Sequence, residues 1–354
     1  MRKRNKYFLK TFGCIQNFSD SERVRAFYNQ NGEVEADSWE QADEVIINSC
    51  VIRESAENRV YGLIDEIQRY CRRRKKKILI TLTGCLTGTK KGRITGVDKY
   101  LPIKNISYQI PPLRDRNKAA LIVISTGCNN RCSYCIVPIA RGAEESRKMA
   151  EIIDEAEVAL KNGFKEVVLI GQNVNSYGAD FHQSSTVSMG KLRLKSDFPK
   201  LLKNIADMDF EKVTFISSNP WDFSEELIKV ISEKKNIDRL IHLPIQSGDD
   251  QILKNMNRGY TAAEYISLVK KIRKNIDGVE FSTDIIIGFP GEDEKAFENT
   301  VKLCREVGFK IAYLNKYSPR KGTVAAKLFK DDVPVAEKKR RWKILNDLIN
   351  HSPI

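Results

Sequence analysis

Ala120-Leu121-Ile122-Val123-Ile124-Ser125-Thr126-Gly127-Cys128-Asn129-Asn130-Arg131-Cys132-Ser133-Tyr134-Cys135 is an apolar strand that runs straight into a loop with three cysteines. The spacing, CxxxCxxC, supplies three thiolates rather than four. Three sulfurs on one short loop can hold three irons of a 4Fe–4S cube and leave the fourth iron open to a small ligand. Zinc ribbons instead come as two CxxC pairs, and a thioredoxin-like site needs only one pair. A zinc site here would have to borrow a distant fourth ligand, so the spacing favours an open-iron cluster.

Outward from this loop the chain alternates between strand and helix. Strands are expected at 120–125, 166–171, 212–217, 239–245, 279–287 and 309–315, with helices at 149–162, 198–207, 223–235, 261–275 and 293–307. Six β/α units with the cysteine loop after the first strand predict an open, partial (β/α)6 barrel, whose ligands gather at the carboxyl ends of its strands. Those ends are polar: Gly171-Gln172-Asn173-Val174-Asn175-Ser176-Tyr177-Gly178, Ser217-Ser218-Asn219-Pro220, His242-Leu243-Pro244-Ile245-Gln246-Ser247-Gly248 and Ser282-Thr283-Asp284. Any one of them reads as a turn. Four on one face read as a pocket lined with amides and hydroxyls, suited to a polar ligand. Residues 182–197 read as an insertion.

Upstream, three β-rich runs each end in cysteine: Tyr7–Gly13 at Cys14, Val45–Ser49 at Cys50 and Ile78–Gly84 at Cys85. Their separations, 36 and 35 residues, are those of successive βα units in a parallel sheet, with helices at 21–30 and 54–70. Strand ends line one edge of such a sheet, so these cysteines should meet there as a second three-thiolate set. Cys71 and Cys304 fit neither set and read as ordinary cysteines. The fold class is therefore α/β. An open parallel sheet domain covers 1–110, a linker with Pro111-Pro112 covers 111–118, the partial barrel covers 119–335, and a basic helix covers 336–354.

The chain has 354 residues and a net charge of +14, of which +8 falls in residues 1–115. Its densest run, Arg72-Arg73-Arg74-Lys75-Lys76-Lys77, repels itself unless phosphates or counterions neutralise it, which points toward nucleic acid. There is no uncharged stretch approaching the ~18 residues of a membrane helix, and no signal-peptide core. Eight cysteines without an export signal suit metal ligation in a reducing, cytoplasmic setting.

CxxxCxxC with Tyr134 before its last cysteine resembles the signature loop of radical S-adenosylmethionine (SAM) enzymes. Lys10-Thr11-Phe12-Gly13-Cys14-Ile15-Gln16-Asn17, the segment 171–177, Met256-Asn257-Arg258-Gly259-Tyr260-Thr261 and Lys316-Tyr317-Ser318-Pro319-Arg320 resemble the tRNA-modifying methylthiotransferase branch of that family over residues 6–345. The resemblance implies two 4Fe–4S clusters, one on Cys128, Cys132 and Cys135 and an auxiliary one on Cys14, Cys50 and Cys85. It implies that one SAM donates a methyl group to sulfur while a second is cleaved to a radical. That radical takes hydrogen from C2 of an N6-prenylated adenosine beside the anticodon. It further implies Tyr134, Gln172, Asn173, Gln246 and Arg147 as SAM contacts, with Arg141 and Glu144 ordering the loop or approaching SAM or the base.

Implied partners are tRNA, an electron donor such as flavodoxin or ferredoxin, and a sulfur donor, with the enzyme a monomer. Branch relatives acting on threonylcarbamoyl-adenosine or a ribosomal protein would keep every cysteine. A zinc-stabilised RNA-binding module is the non-enzymatic alternative. Family members ordinarily continue into a small β-rich RNA-binding domain (TRAM), whereas here a basic helix, Ala336 to Asn350, is followed by Ile354. That domain is missing from this sequence: either the sequence is a truncated piece, or tRNA is bound without it through Arg72–Lys77 and Lys338-Lys339-Arg340-Arg341.

Overall fold

The computed structural model describes residues 5–52, 54–89, 94–106, 108–115, 119–182, 185–188 and 191–351. Two compact units make up the chain. The first takes 1–118 together with 136–143, and the second takes 119–135 with 144–354.

The first unit is built on strands β1 (Lys6–Thr11), β2 (Val34–Glu35), β3 (Glu44–Ser49), β4 (Leu79–Gly84) and β5 (Lys99–Leu101). All pairings are parallel and the order is β2-β1-β3-β4-β5. β3 is buried at every position, which is why its middle, Val45-Ile46-Ile47, reads as an apolar run without alternation. Its side chains divide between two layers. Val45 and Ile47 pack with Val60, Ile64 and Ile67 of helix α2 (Glu54–Arg74), while Ile46 packs with Val24 and Tyr28 of helix α1 (Ile15–Gln30). This is the doubly wound order, whose topological switch lies between β1 and β3 and opens a crevice at their carboxyl ends.

α1 begins at Ile15, six residues before the expected start, because its inner face is polar and hides the apolar period. A short helix, α3 (Leu86–Thr89), follows β4, and the segment 136–143 closes the unit with α4 (Val137–Arg141). Ile136 joins the α2 layer, and Gly88 lies so near the Ala140 carbonyl that no side chain fits there. Residues just before and within the stretch read as a linker pack on this unit. Ile106 is buried in the α1 layer, Tyr108 lies under the Arg23 guanidinium (3.8 Å), and the Leu113 N–H donates to the Glu22 carbonyl (3.1 Å).

The second unit holds β6 (Ala120–Val123), β7 (Ser125–Thr126), β8 (Glu145–Ser146), β9 (Glu166–Ile170), β10 (Ser185–Ser188), β11 (Lys191–Leu194), β12 (Lys212–Phe215), β13 (Leu240–His242), β14 (Glu280–Ile287) and β15 (Ile311–Lys316). Its helices are α5 (Met149–Lys161), α6 (Phe198–Ala206), α7 (Glu225–Glu233), α8 (Asp250–Asn255), α9 (Ala262–Asn275), α10 (Glu294–Val307), α11 (Val324–Leu328) and α12 (Val335–Ile349). Two parallel half-sheets, β12-β9-β6 and β13-β14-β15, are joined by a parallel bridge between Val213 and Ile237. Six parallel strands therefore stand in a row whose outer members, β6 and β15, do not pair among the described residues. The row is open, a partial (β/α)6 barrel. The insertion carries the antiparallel hairpin β10–β11.

α12 seals β15: Trp342 Nε1 donates to the Leu314 carbonyl (3.2 Å), and Asn350 bonds both ways with the Ala312 backbone. This corrects the expectation that Lys338-Lys339-Arg340-Arg341 meets tRNA for two of the four residues, Lys338 and Arg341, while Lys339 and Arg340 are exposed. Lys338 is buried against the Tyr317 carbonyl and Asp331, and Arg341 is buried against Glu292. Arg340 is tied to Glu294 and Glu337. Counting charges along the helix could not reveal partners that lie far away in sequence.

Candidate functional site

In the first unit, the pairings Thr11–Asn48 and Ser49–Gly84 bring three strand ends to one sheet edge, and Cys14, Cys50 and Cys85 follow them. Cys14 caps α1, exposed and with extended backbone, while Cys50 and Cys85 are buried. Cys85 is hung from the neighbouring strand by its N–H on the Ser49 carbonyl (2.9 Å). Two glycines make the turns possible. Gly13 has φ +123°, and a Cβ there would stand 2.7 Å from that of Cys50; Gly84 has φ +80°, and its Cβ would meet the Ser49 carbonyl at 2.6 Å.

Behind the thiols lies a polar core that an apolar-period reading passes over. Asn17 Nδ2 donates to Asn48 Oδ1 (2.9 Å) and to the Ser49 carbonyl (2.9 Å), and Asn48 Nδ2 donates to Ser21 Oγ (2.9 Å). A signal was present: Asn48 and Ser49 are polar positions closing an otherwise apolar strand. Arg141 completes the edge, donating from Nε to Cys85 Sγ (3.3 Å) and pairing with buried Asp20 (2.8 Å). Burial pushes the Cys85 thiol up to about 11, against the pull of Arg141, and Cys50 and Cys14 are near enough to raise it further.

In the second unit the row of strands presents its carboxyl ends in order, and hydrogen bonds stitch the loops together. The Val174 N–H reaches the Ser217 carbonyl (3.3 Å), and Ser217 N–H reaches His242 Nδ1 (3.3 Å). The cysteine loop is held from the segment after α8, Ser133 N–H donating to the Met256 carbonyl (2.9 Å) and Asn257 Nδ2 to the Arg131 carbonyl (2.7 Å). Arg258 joins three of these loops through Cys132, Asn219 and Pro244. Cys128 is buried, and burial pushes its thiol up to about 12, with Cys135 and Cys132 raising it further.

The residues expected to touch the ligand divide. Asn173 is held by its amide on Asp222 (2.7 Å) and leaves Oδ1 without a partner; Gln172 Oε1, Ser218 Oγ and Gln246 Oε1 are likewise buried and unpartnered. Gln246 and Ser217 both have positive φ (74° and 70°), a strain that clusters at functional sites. Buried acceptors left open in a lined row are what a polar ligand would satisfy. Tyr134 instead packs with Ile252, Met256, Phe289 and Tyr317. Arg147 is buried and spent on the Val123 carbonyl (2.7 Å) and Glu155 (2.7 Å). Glu144, also buried, accepts from Ser176 Oγ (2.5 Å), and its N–H donates to Asn129 of the cysteine loop.

Both thiol sets suit iron–sulfur ligation. Among the described residues, no three His, Cys, Asp or Glu side chains close around a point tightly enough for a single metal ion. Each set is instead three thiols near enough to feel one another's charge. Protein groups alone keep Cys85 and Cys128 protonated, so the charge that ionises them would have to come from bound metal.

Known proteins bear on these two sites. The model of the radical SAM superfamily matches residues 122–304, and that of an uncharacterized protein family, UPF0004, matches residues 6–103. The chain is 35% identical over 372 residues to a tRNA-2-methylthio-N(6)-dimethylallyladenosine synthase of Thermotoga petrophila, covering 97% of this chain and 81% of that one. It is 37% identical over 378 residues to a synthase of the same name from Staphylococcus aureus strain Newman, covering 98% and 71%. Among solved structures it resembles a radical S-adenosylmethionine methyltransferase from Kitasatospora setae, with TM-score 0.60 and 14% identity over 88% of this chain and 73% of that one. That last likeness is one of fold alone.

Proposed function

The chain belongs to the radical SAM superfamily and, within it, to the tRNA methylthiotransferase family, and from that membership we propose that it transfers a methylthio group to C2 of an N6-prenylated adenosine beside the anticodon of tRNA. Two SAM molecules would be consumed per product. The observation that carries this reading is the presence of two three-thiol sites, each at the carboxyl ends of parallel strands in its own unit. Cys128, Cys132 and Cys135 would hold one 4Fe–4S cluster, and Cys14, Cys50 and Cys85 another. Bound there, these groups supply the reductive cleavage of SAM and the sulfur to be methylated, chemistry that side chains do not provide.

The chain's own residues bind and orient. The carbonyl oxygens of Gln172, Asn173 and Gln246 offer acceptors to the ammonium and hydroxyl donors of SAM, and Asp222 holds Asn173 in place. Burial of Cys50, Cys85 and Cys128 keeps water from the sulfurs. A one-electron donor of the flavodoxin or ferredoxin class and a sulfur donor would be needed as partners. Eight cysteines in the chain suit a reducing compartment. No helix among the described residues is long and apolar enough to cross a membrane.

Anaerobic reconstitution tests this reading. Wild type should hold about eight irons and Cys14→Ala/Cys50→Ala/Cys85→Ala about four, and wild type should methylthiolate prenylated tRNA. About four irons in both proteins would remove the second cluster. Full iron with a different modified acceptor would change the substrate.

A further inference from the structure

Arg258 is 9% exposed, and no carboxylate pairs with it among the described residues. Its Nη1 donates to Cys132 Sγ (3.4 Å), its Nη2 to Asn219 Oδ1 (3.0 Å) and the Pro244 carbonyl (3.1 Å), and its Nε to the Tyr260 hydroxyl (2.9 Å). The guanidinium lies over the rings of Trp221 (4.6 Å) and Tyr260 (5.2 Å). Dipoles and ring faces offset only part of the cost of taking a cation out of water; an anion does better. Tyr260 donates its O–H to the Pro244 and Ile245 carbonyls, which leaves the Cys132 sulfur as the partner through which the guanidinium would meet a bound cluster.

The first unit offers a contrast. Arg141 makes the same kind of N–H···S hydrogen bond with Cys85, but its charge is cancelled by Asp20. One thiol set therefore has a hydrogen bond with a net positive charge behind it, and the other has a hydrogen bond without one.

Net charge and hydrogen bonds to sulfur are what set the potential of an iron–sulfur group. We propose that Arg258 is a positioning residue that raises the reduction potential of the cluster on Cys128, Cys132 and Cys135, acting through the Cys132 sulfur. The inference rests on the reading that this triad holds a 4Fe–4S cluster. The step it would favour is simple: with a cluster bound, one electron from an external low-potential one-electron donor would add one negative charge there. No bond breaks and no proton moves. The added charge faces a guanidinium that has no carboxylate counter-ion among the described residues.

The test isolates one cluster by working in Cys14→Ala/Cys50→Ala/Cys85→Ala and following its reduction by potentiometric titration with EPR detection. With Arg258→Gln, iron should stay at about four per chain. The ratio of reduced to oxidised cluster at a fixed potential should fall about tenfold, a shift of about 59 mV for a one-electron couple. Arg258→Lys, which keeps the charge but loses the planar fork, should fall less. An unchanged midpoint in Arg258→Gln with full iron overturns the proposal. So does loss of iron from both variants, which would make Arg258 a residue of assembly. A parent protein without iron would instead sink the functional reading itself.

Discussion

Glu144 holds a carboxyl group where its charge is penalised. Burial lifts its pKa from 4.5 to about 7, Ser176 and Asn129 pull it back by hydrogen bonding, and Asp180 and Asp222 push it further up. Between those values the folded chain keeps a proton that the unfolded chain has lost, so this group's contribution favours folding at low pH and declines as pH rises through about 7. Glu144→Gln should leave stability near pH 4.5 unchanged and raise it at pH 8 by roughly 3 kcal/mol at most. Urea unfolding of both proteins from pH 4.5 to 8.5 measures this, and parallel profiles would dismiss it. Environments of this kind are not written in the neighbouring sequence. Arg141 and Glu144 are visible as charges after the cysteine loop, but the groups that give them meaning are remote: Asp20 and Cys85 lie 121 and 56 residues from Arg141, and Ser176 lies 32 from Glu144. Arg258 is harder still, a lone arginine in a turn whose burial depends on Trp221, Asn219 and Pro244.

Helix α12 shows how an element can be basic and yet inward-facing. Arg341 Nη1 lies 2.9 Å from Glu292 Oε1, both side chains are nearly solvent-free, and Glu292 also accepts from the Gly288 N–H (2.9 Å). Removing the arginine leaves a buried carboxylate unpaired. Arg341→Ala should therefore cost about 3–5 kcal/mol, while exposed Lys339→Ala should cost almost nothing. Thermal melts of the two variants compare them directly, and equal melts would show the pair to be idle. Elements were legible wherever their pattern was local. The six barrel strands and the three strand–cysteine junctions announce themselves through apolar runs cut off by Gly, Ser, Pro or Cys. The start of α1 did not, because its buried face is polar and Asn17, Asp20 and Ser21 on it are held by other polar groups, a pairing that no hydrophobic period encodes.

Over the whole molecule, the +14 charge is unevenly available. With Lys338 and Arg341 internal, exposed Arg72, Arg73 and Arg74 at the carboxyl end of α2 become the denser cationic feature, favoured there by the helix dipole. If they meet tRNA phosphates, Arg72→Ala/Arg73→Ala/Arg74→Ala should flatten the dependence of log Kd on log salt by about one unit for each phosphate no longer neutralised. An unaltered slope sends the RNA to another surface. The chain path also orders events in time. Residues 136–143 complete the first unit, although 119–135 of the second are made before them. On the ribosome, the unit that emerges first therefore cannot finish until part of the second has been made. Its five strands can pair, but Cys85 waits for Arg141, and Gly88 for Ala140, until the first barrel strand has already left the tunnel. Maturation of the two units is thereby interleaved, and no single cut separates them as whole heritable pieces.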